Sequence, residues 1–327
     1  MSTFARSALL VYLTFTVGGC DEATTPEDDG EFRAGAVSTG CSTWRCGYNA
    51  ARINGESLTE LHEGGTANAD GVKIVGFVAP LGVLGYKLSV VNDRFVAKGP
   101  LGTLQGDALL GGTILIKLRS GLVVPVIIAG NESLPSWAAG AAPVTAYTLV
   151  YADPSNPTGK SNVCSGTLVD PLTAAVTLIG GETYDEAKKT VNTGMTGWFT
   201  LACAGSASAK MKLMNYGPSS DFDGHGHAAT PQQRQATLKM ITADYCGTGV
   251  SYTATGTPLH WANTSGTIAP ATDAVLGEFE AAWGPQGALC LDTPRRPDLA
   301  AALGCAVPAC TAAHLDAGEW QTINPAP

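Results

Sequence analysis

Thr113–Leu118 (TILIKL) and Leu122–Ala129 (LVVPVIIA) stand on either side of Arg119-Ser120-Gly121. Two short β-branched runs around a polar, glycine-ended triplet read as a hairpin. Pro125 lacks the N–H that a ladder needs, so its strand is expected at a sheet edge or at a bulge. Outward from this hairpin the pattern repeats. Val72–Val78, Tyr86–Val91 and Arg94–Ala97 read as short strands, with Asn92-Asp93 turning between the last two. Val144–Ala152 (VTAYTLVYA) is another strand and Asp153–Lys160 a loop; Val176–Ile179 and Trp198–Cys203 open a second section.

Helices come late in the chain. Thr230-Pro231 supplies an N-cap and a first-turn proline, Leu238, Ile241 and Tyr245 recur at helical spacing, and Gly247 is the expected stop. A second helix is expected over Asp273–Trp283, halted by Gly284-Pro285, and a third over Ala207–Met214. The class is α+β, mainly β: short strands and hairpins with a few helices in the C-terminal half, stabilised by disulfides.

Of the 327 residues 45% are apolar and only 14% charged, against roughly 25% charged in ordinary domains. That excludes a polyelectrolyte disordered chain. The net charge of −9 argues against a nucleic acid partner, which needs a concentrated basic surface. Beyond the N-terminus no run of 18 apolar residues occurs.

Residues 1–19 read as a secretory signal: Arg6, the apolar run Ala8–Val17, then Gly18 and Gly19. Val17-Gly18-Gly19-Cys20 resembles a bacterial lipobox, which implies cleavage before Cys20 and acylation of that residue. Each acyl methylene contributes about 0.8 kcal/mol to anchoring, so the lipid bilayer is the expected partner. Residues 20–40 are an acidic tether; Asp21–Arg33 sets six carboxylates against one Arg, a self-repelling spacer. A β-rich section, 41–152, follows, then an α+β section, 153–315, and a loose tail, 316–327.

Setting Cys20 apart leaves Cys41, Cys46, Cys164, Cys203, Cys246, Cys290, Cys305 and Cys310. An even number in an oxidising compartment favours disulfides, although eight thiols allow 105 connectivities. Locality pairs Cys41 with Cys46 and Cys305 with Cys310; a long-range pair such as Cys203 with Cys246 would constrain the chain more. The C-x4-C spacings and the lack of any CxxC argue against structural zinc.

Ala243-Asp244-Tyr245-Cys246-Gly247 is a signature in its own right. With Lys239–Thr242 before it and Ser251-Tyr252 and Gly256-Thr257-Pro258 after it, the segment resembles the ADYC domain. Phe199–Cys203, Ala209-Lys210 and Phe279–Pro285 also match that family's landmarks. The resemblance spans roughly residues 70 to 295 and implies a bacterial, myxobacterial-type cell-envelope lipoprotein, with no activity attached. Where the family's pattern places two further cysteines, this chain has Met211 and Thr237; their joint loss implies that the two positions face each other. Asp244 in the last turn would oppose the helix dipole by around 0.3–1 kcal/mol. It is therefore expected to accept N–H bonds from the Gly247–Gly249 turn and pin the Cys246 junction.

One loop gathers ligand-type side chains: Asp221, Asp223, His225 and His227 lie within seven residues among glycines. That set suits a zinc, nickel or copper ion. As a calcium loop it fails, because Gln232 stands where a bidentate Glu is needed. Pro154–Ser161 echoes a phosphate loop without its first glycine, and Cys164–Val169 with His314 echoes a protease in the wrong order. Glu278 and Glu280 would diverge on a helix, and His62 and His260 are isolated. No complete catalytic set appears and no cofactor is called for. The reading is an exported, lipid-anchored envelope protein that binds or builds rather than catalyses, its partner an envelope protein or glycan. The alternatives are a metal-dependent hydrolase or metal binder on the 221–227 loop, and a carbohydrate-binding module using Trp137, Trp198 or Trp261.

Overall fold

The computed structural model describes residues 50–156, 159–164, 174–254, 256–269 and 277–325. The expected signal, the tether, Cys20, Cys41 and Cys46 lie outside the described residues. In chain order the first strands are β1 (Arg52–Ile53), β2 (Glu56–Ser57), β3 (Glu60–His62), β4 (Lys73–Val78), β5 (Lys87–Val91), β6 (Arg94–Gly99) and β7 (Gly102–Gln105). Next come β8 (Thr113–Lys117), β9 (Val123–Leu134), β10 (Val144–Ala152), β11 (Lys160–Asn162), β12 (Ala175–Gly180), β13 (Glu182–Asp185), β14 (Thr190–Thr193) and β15 (Trp198–Cys203). Helices α1 (Ala207–Leu213) and α2 (Pro231–Thr242) precede β16 (His260–Asn263), β17 (Glu278–Gly284) and β18 (Gly287–Leu291). Short helices α3 (Pro297–Ala300) and α4 (Ala312–Ala317) lead to β19 (Trp320–Asn324).

The fold is mainly β with a few helices, as the patterning implies. The 113–129 hairpin forms as β8 and β9, with Ile114 paired to Val126 and Ile116 to Val124. Ile114, Ile116, Val124, Val126 and Ile128 are all buried, so the alternate positions of both strands build one inner face. These strands sit inside an eight-stranded antiparallel sheet ordered β3-β15-β12-β10-β9-β8-β4, with β11 added on β10. The sheet curls until its end strands β3 and β4 meet. Pro125 is therefore not on an edge strand, although β9 does carry a bulge, at Ala129 between the Gly130–Thr148 and Ile128–Leu149 pairs. Pro125 lies one residue beyond the last β9–β10 pair, Val126 with Tyr151, where the ladder has ended.

The hairpin β5–β6, extended by β7, closes over the inner face. Its turn is Asn92-Asp93, both with positive φ (48° and 58°), the geometry that matches strand twist. Phe95 packs 4.9 Å from the Tyr147 ring and 6.0 Å from Phe199, and its N–H donates to the Tyr147 hydroxyl at 3.1 Å. A second core lies between α2 and the four-stranded sheet β16-β19-β17-β18, and it buries Trp283, Trp320, Tyr216 and Tyr245. Two buried ion pairs tie the parts together: Lys212 of α1 to Asp93 at the hairpin turn, and Arg234 of α2 to Glu182 of β13.

Three expectations are corrected. The helix expected over 273–283 is replaced by strand β17 from Glu278 onward. Its Ala- and Glu-rich sequence suits a helix, but pairing with both β18 and β19 decides the conformation. The tail beyond 316 is not loose, because β19 lies between β16 and β17 with Trp320 fully buried. Among the described residues the disulfides are Cys164–Cys203, Cys246–Cys305 and Cys290–Cys310. Cys305 pairs with Cys246 and not with Cys310, and Cys203 pairs with Cys164 and not with Cys246. The fold joins segments that are remote in sequence, which proximity along the chain does not reveal.

Candidate functional site

The end of α2 is where the ADYC residues gather. Thr230 caps the helix by accepting from the Gln233 N–H, while the Gln233 side chain returns to the Thr230 N–H. Rather than running to Gly247, the helix stops at Thr242, and Ala243 turns left-handed at φ 50°. Asp244 is thus past the helix, not in its last turn. Its Oδ2 accepts from Lys239 Nζ at 2.6 Å and from the Gly249 N–H at 2.8 Å. The N–H bond from the 247–249 turn is the one the sequence implies; the buried lysine is an addition.

Tyr245 stacks 5.2 Å from Trp283 and donates its hydroxyl to Glu280 at 2.5 Å. Burial, and after it the Glu280 charge, pushes that hydroxyl up from its ordinary pKa. Glu280 also receives Arg295 through two nitrogens, at 2.6 and 3.0 Å, and the guanidinium lies 5.6 Å over the Trp283 ring. Glu280 is the extra residue of a bulge between Phe279 and Ala281, which aims its carboxylate inward. Cys246 is bridged to Cys305. Gly247 has φ +70°, and a Cβ there would stand 2.0 Å from the Gln286 carbonyl oxygen, so no side chain fits. Tyr245 holds the α2 end against β17, Asp244 ties it to Lys239 and the 247–249 turn, and Cys246 ties it to Cys305.

The 221–227 loop is closed on itself. Asp221 accepts from the Gly226 N–H, and Asp223 from the His225 N–H. His227 Nδ1 lies 2.7 Å from Asp223 Oδ2, a bond that pulls the Asp223 carboxyl down to about 2. Among the described residues no group of three or more His, Cys, Asp or Glu is placed to hold a metal ion. The tryptophans contact other rings: Trp137 stacks on Trp261 at 5.9 Å, and Trp198 meets His62 edge-on at 5.1 Å. Glu278 is exposed while Glu280 is buried, so the two carboxylates do not meet. His314 belongs to the capping box of α4.

Solvent reaches polar chemistry in a cleft between β3 and the β13–β14 hairpin. Its outer lobe, about 620 Å³, is lined by Arg52, Ser57, Asn68, Asp70 and Asn192. Thr59, Tyr184, Asp185 and Glu186 continue into an inner lobe of about 70 Å³, which ends on Leu201, Leu238 and the Cys203 bridge. The Glu60 carboxylate accepts from the Tyr184 N–H at 2.8 Å, and burial pushes its pKa up. Asp185 accepts from the Lys188 N–H and Asp70 from the Ser57 N–H. Among the described residues that line it, the wall is rich in acceptors and holds no histidine. Such a surface suits a ligand with several hydrogen-bond donors, a polyol or an amine. Glu60 and Asp185 are too far apart in sequence for any spacing rule to have found them.

A profile of the ADYC domain family matches residues 106–297, more than half of the chain. The chain belongs to the ADYC domain family. No curated protein and no solved structure matches it. The match starts within the 41–152 section, and its ADYC signature sits at the structural junction described above. The Cys246–Cys305 and Cys290–Cys310 bridges fasten the segment beyond residue 297 to the ADYC domain.

Proposed function

We propose that this ADYC domain protein is an exported, lipid-anchored component of the bacterial cell envelope that acts by binding, with the cleft between β3 and β13–β14 as its ligand site. The observation that carries this reading is the fate of the signature: Ala243, Asp244 and Tyr245 are buried and Cys246 and Gly247 half-buried at the α2 end, while the polar cleft stays open to solvent. Export is supported by three bridges among the described residues, since such bonds persist in oxidising compartments. Anchoring rests on the sequence Val17-Gly18-Gly19-Cys20 and the acidic spacer after it.

Native mass spectrometry of the chain extracted from its own membranes tests the binding role. Copies carrying a small donor-rich ligand, lost in Asn192→Trp, are expected; Asn192 is exposed on the outer lobe, so the indole fills space without disturbing the core. A ligand retained equally by the variant would move the site elsewhere.

A further inference from the structure

Three leucines stand in solvent at one end of the β5–β6–β7 sheet. Leu81 is fully exposed, Leu101 is 78% exposed and Leu84 70%. Their grouping follows from register. Lys87 pairs with Lys98 across β5 and β6. One step outward, the Tyr86 ring lies against Gly99, where a Cβ would be 2.5 Å from it. A further step outward, a Cβ on Gly85 would stand 3.6 Å from the Pro100 ring. That approach puts the loop carrying Leu84 and the two-residue turn between Gly99 and Gly102, which carries Leu101, at the same end of the sheet. Leu81 precedes them on the same loop at φ 63°, a left-handed backbone that disfavours leucine. Neither packing nor backbone preference accounts for a leucine there.

Directly behind the leucines, Lys87 and Lys98 face each other as a cross-strand pair, both exposed. Like charges at that position destabilise a hairpin. Among the described residues no carboxylate forms an ion pair with either, although both chains are long enough to seek one. Apolar side chains at loop tips with cations one layer back match the layers of an anionic bilayer, acyl boundary first and headgroups above it.

We infer that the Pro80–Gly85 loop and the Pro100-Leu101 turn form a membrane-contacting tip, with Leu81, Leu84 and Leu101 entering the interface of an anionic bilayer and Lys87 and Lys98 meeting its headgroups. The inference rests on the membrane setting proposed above, but the tip would bind lipid without an acyl group. It gives the tethered domain a fixed orientation at the bilayer, with the β5–β7 end down.

The test uses the full chain with Cys20→Ser, so that no acyl group contributes, and compares it with the same chain carrying Leu81→Asn, Leu84→Ser and Leu101→Ser. Both are sedimented with phosphatidylcholine vesicles and with vesicles containing phosphatidylglycerol. Because the N-terminus is common to both, their difference reads the tip alone. The account expects the triple change to weaken partition to anionic vesicles by about tenfold or more. Lys87→Gln with Lys98→Gln should lower the anionic preference about tenfold and leave binding to neutral vesicles unchanged. All three leucines are exposed, so thermal midpoints should not fall, and Leu81→Asn relieves its backbone. Equal retention of the leucine variant, or no preference for anionic lipid, overturns the inference. Concentration-dependent dimers that vanish in the leucine variant, without vesicle binding, assign the tip to a second copy and overturn it as well. An unacylated Cys20 in the natural chain would instead overturn the anchoring proposal and leave this result standing.

Discussion

Lys239 and Asp244 form an ion pair of 2.6 Å with almost no solvent contact, joining the last turn of α2 to the residue that follows its left-handed cap. The lysine also donates to the Lys188 and Gly247 carbonyls. One side chain thus gathers the helix end, the β13–β14 connection and the Cys246 junction.

Removing one partner of this pair leaves a buried charge uncompensated. Asp244→Ala should lower unfolding free energy by about 3–5 kcal/mol. Lys239→Met combined with Asp244→Leu should recover much of that loss. Urea denaturation measures both; a single change costing under about 1 kcal/mol would contradict the role assigned to Asp244.

The long-range bridge at the same junction has a separable effect. Cys246 and Cys305 are 59 residues apart, and opening that loop with Cys246→Ser and Cys305→Ser should cost about 2–4 kcal/mol. Limited proteolysis should then cut beyond residue 297 first, because the segment loses one of its two covalent ties. Unchanged stability and cleavage would show that the bridge constrains nothing.

Glu319 offers a pH test. It accepts from the Tyr216 hydroxyl at 2.5 Å and from Gln233 at 3.2 Å, yet burial outweighs both bonds and raises its pKa above 4.5. With the folded value above the unfolded one, the native chain takes up the proton first as pH falls. Stability withheld at neutral pH is therefore regained from the raised value downward, and the gain is complete below 4.5. Urea midpoints for wild type and Glu319→Gln should converge as pH falls toward 4.5; parallel profiles would contradict the shift.

Met211 and Thr237 are both fully buried, on helices that pack against each other. Met211→Cys with Thr237→Cys should form a bridge during oxidative folding, detected as a two-proton mass loss without reductant. Two free thiols in the folded variant would refute the facing arrangement that the family pattern implies.

What the sequence discloses is local. Strands β10 and β15 match their expected limits, as does the start of α2, because alternation, β-branching and a Thr-Pro cap act within a few residues. Glu278–Gly284 misleads, since its Ala and Glu content favours a helix, while β19, some forty positions away, supplies the pairing that makes it a strand. Gly284-Pro285, expected only to stop a helix, opens the Gly284–Gly287 turn between β17 and β18, and apolar residues on both sides are the available sign. The α2 end is missed because Ala243 adopts a left-handed conformation usually reserved for glycine; Asp244 and the turn beyond it supply the compensating bonds. The cleft has no local signature, because Glu60 and Asp185 meet only when β3 and β13 are folded.

The central claim is an anchored, disulfide-closed binding protein. The most direct measurement is the intact mass of the chain extracted from its membranes, denatured without reductant and treated with a thiol alkylating agent. The account predicts an N-terminal Cys20 carrying acyl groups and no alkylation of Cys164, Cys203, Cys246, Cys290, Cys305 or Cys310. A chain that retains residues 1–19, or an unmodified Cys20 with free thiols elsewhere, would contradict it.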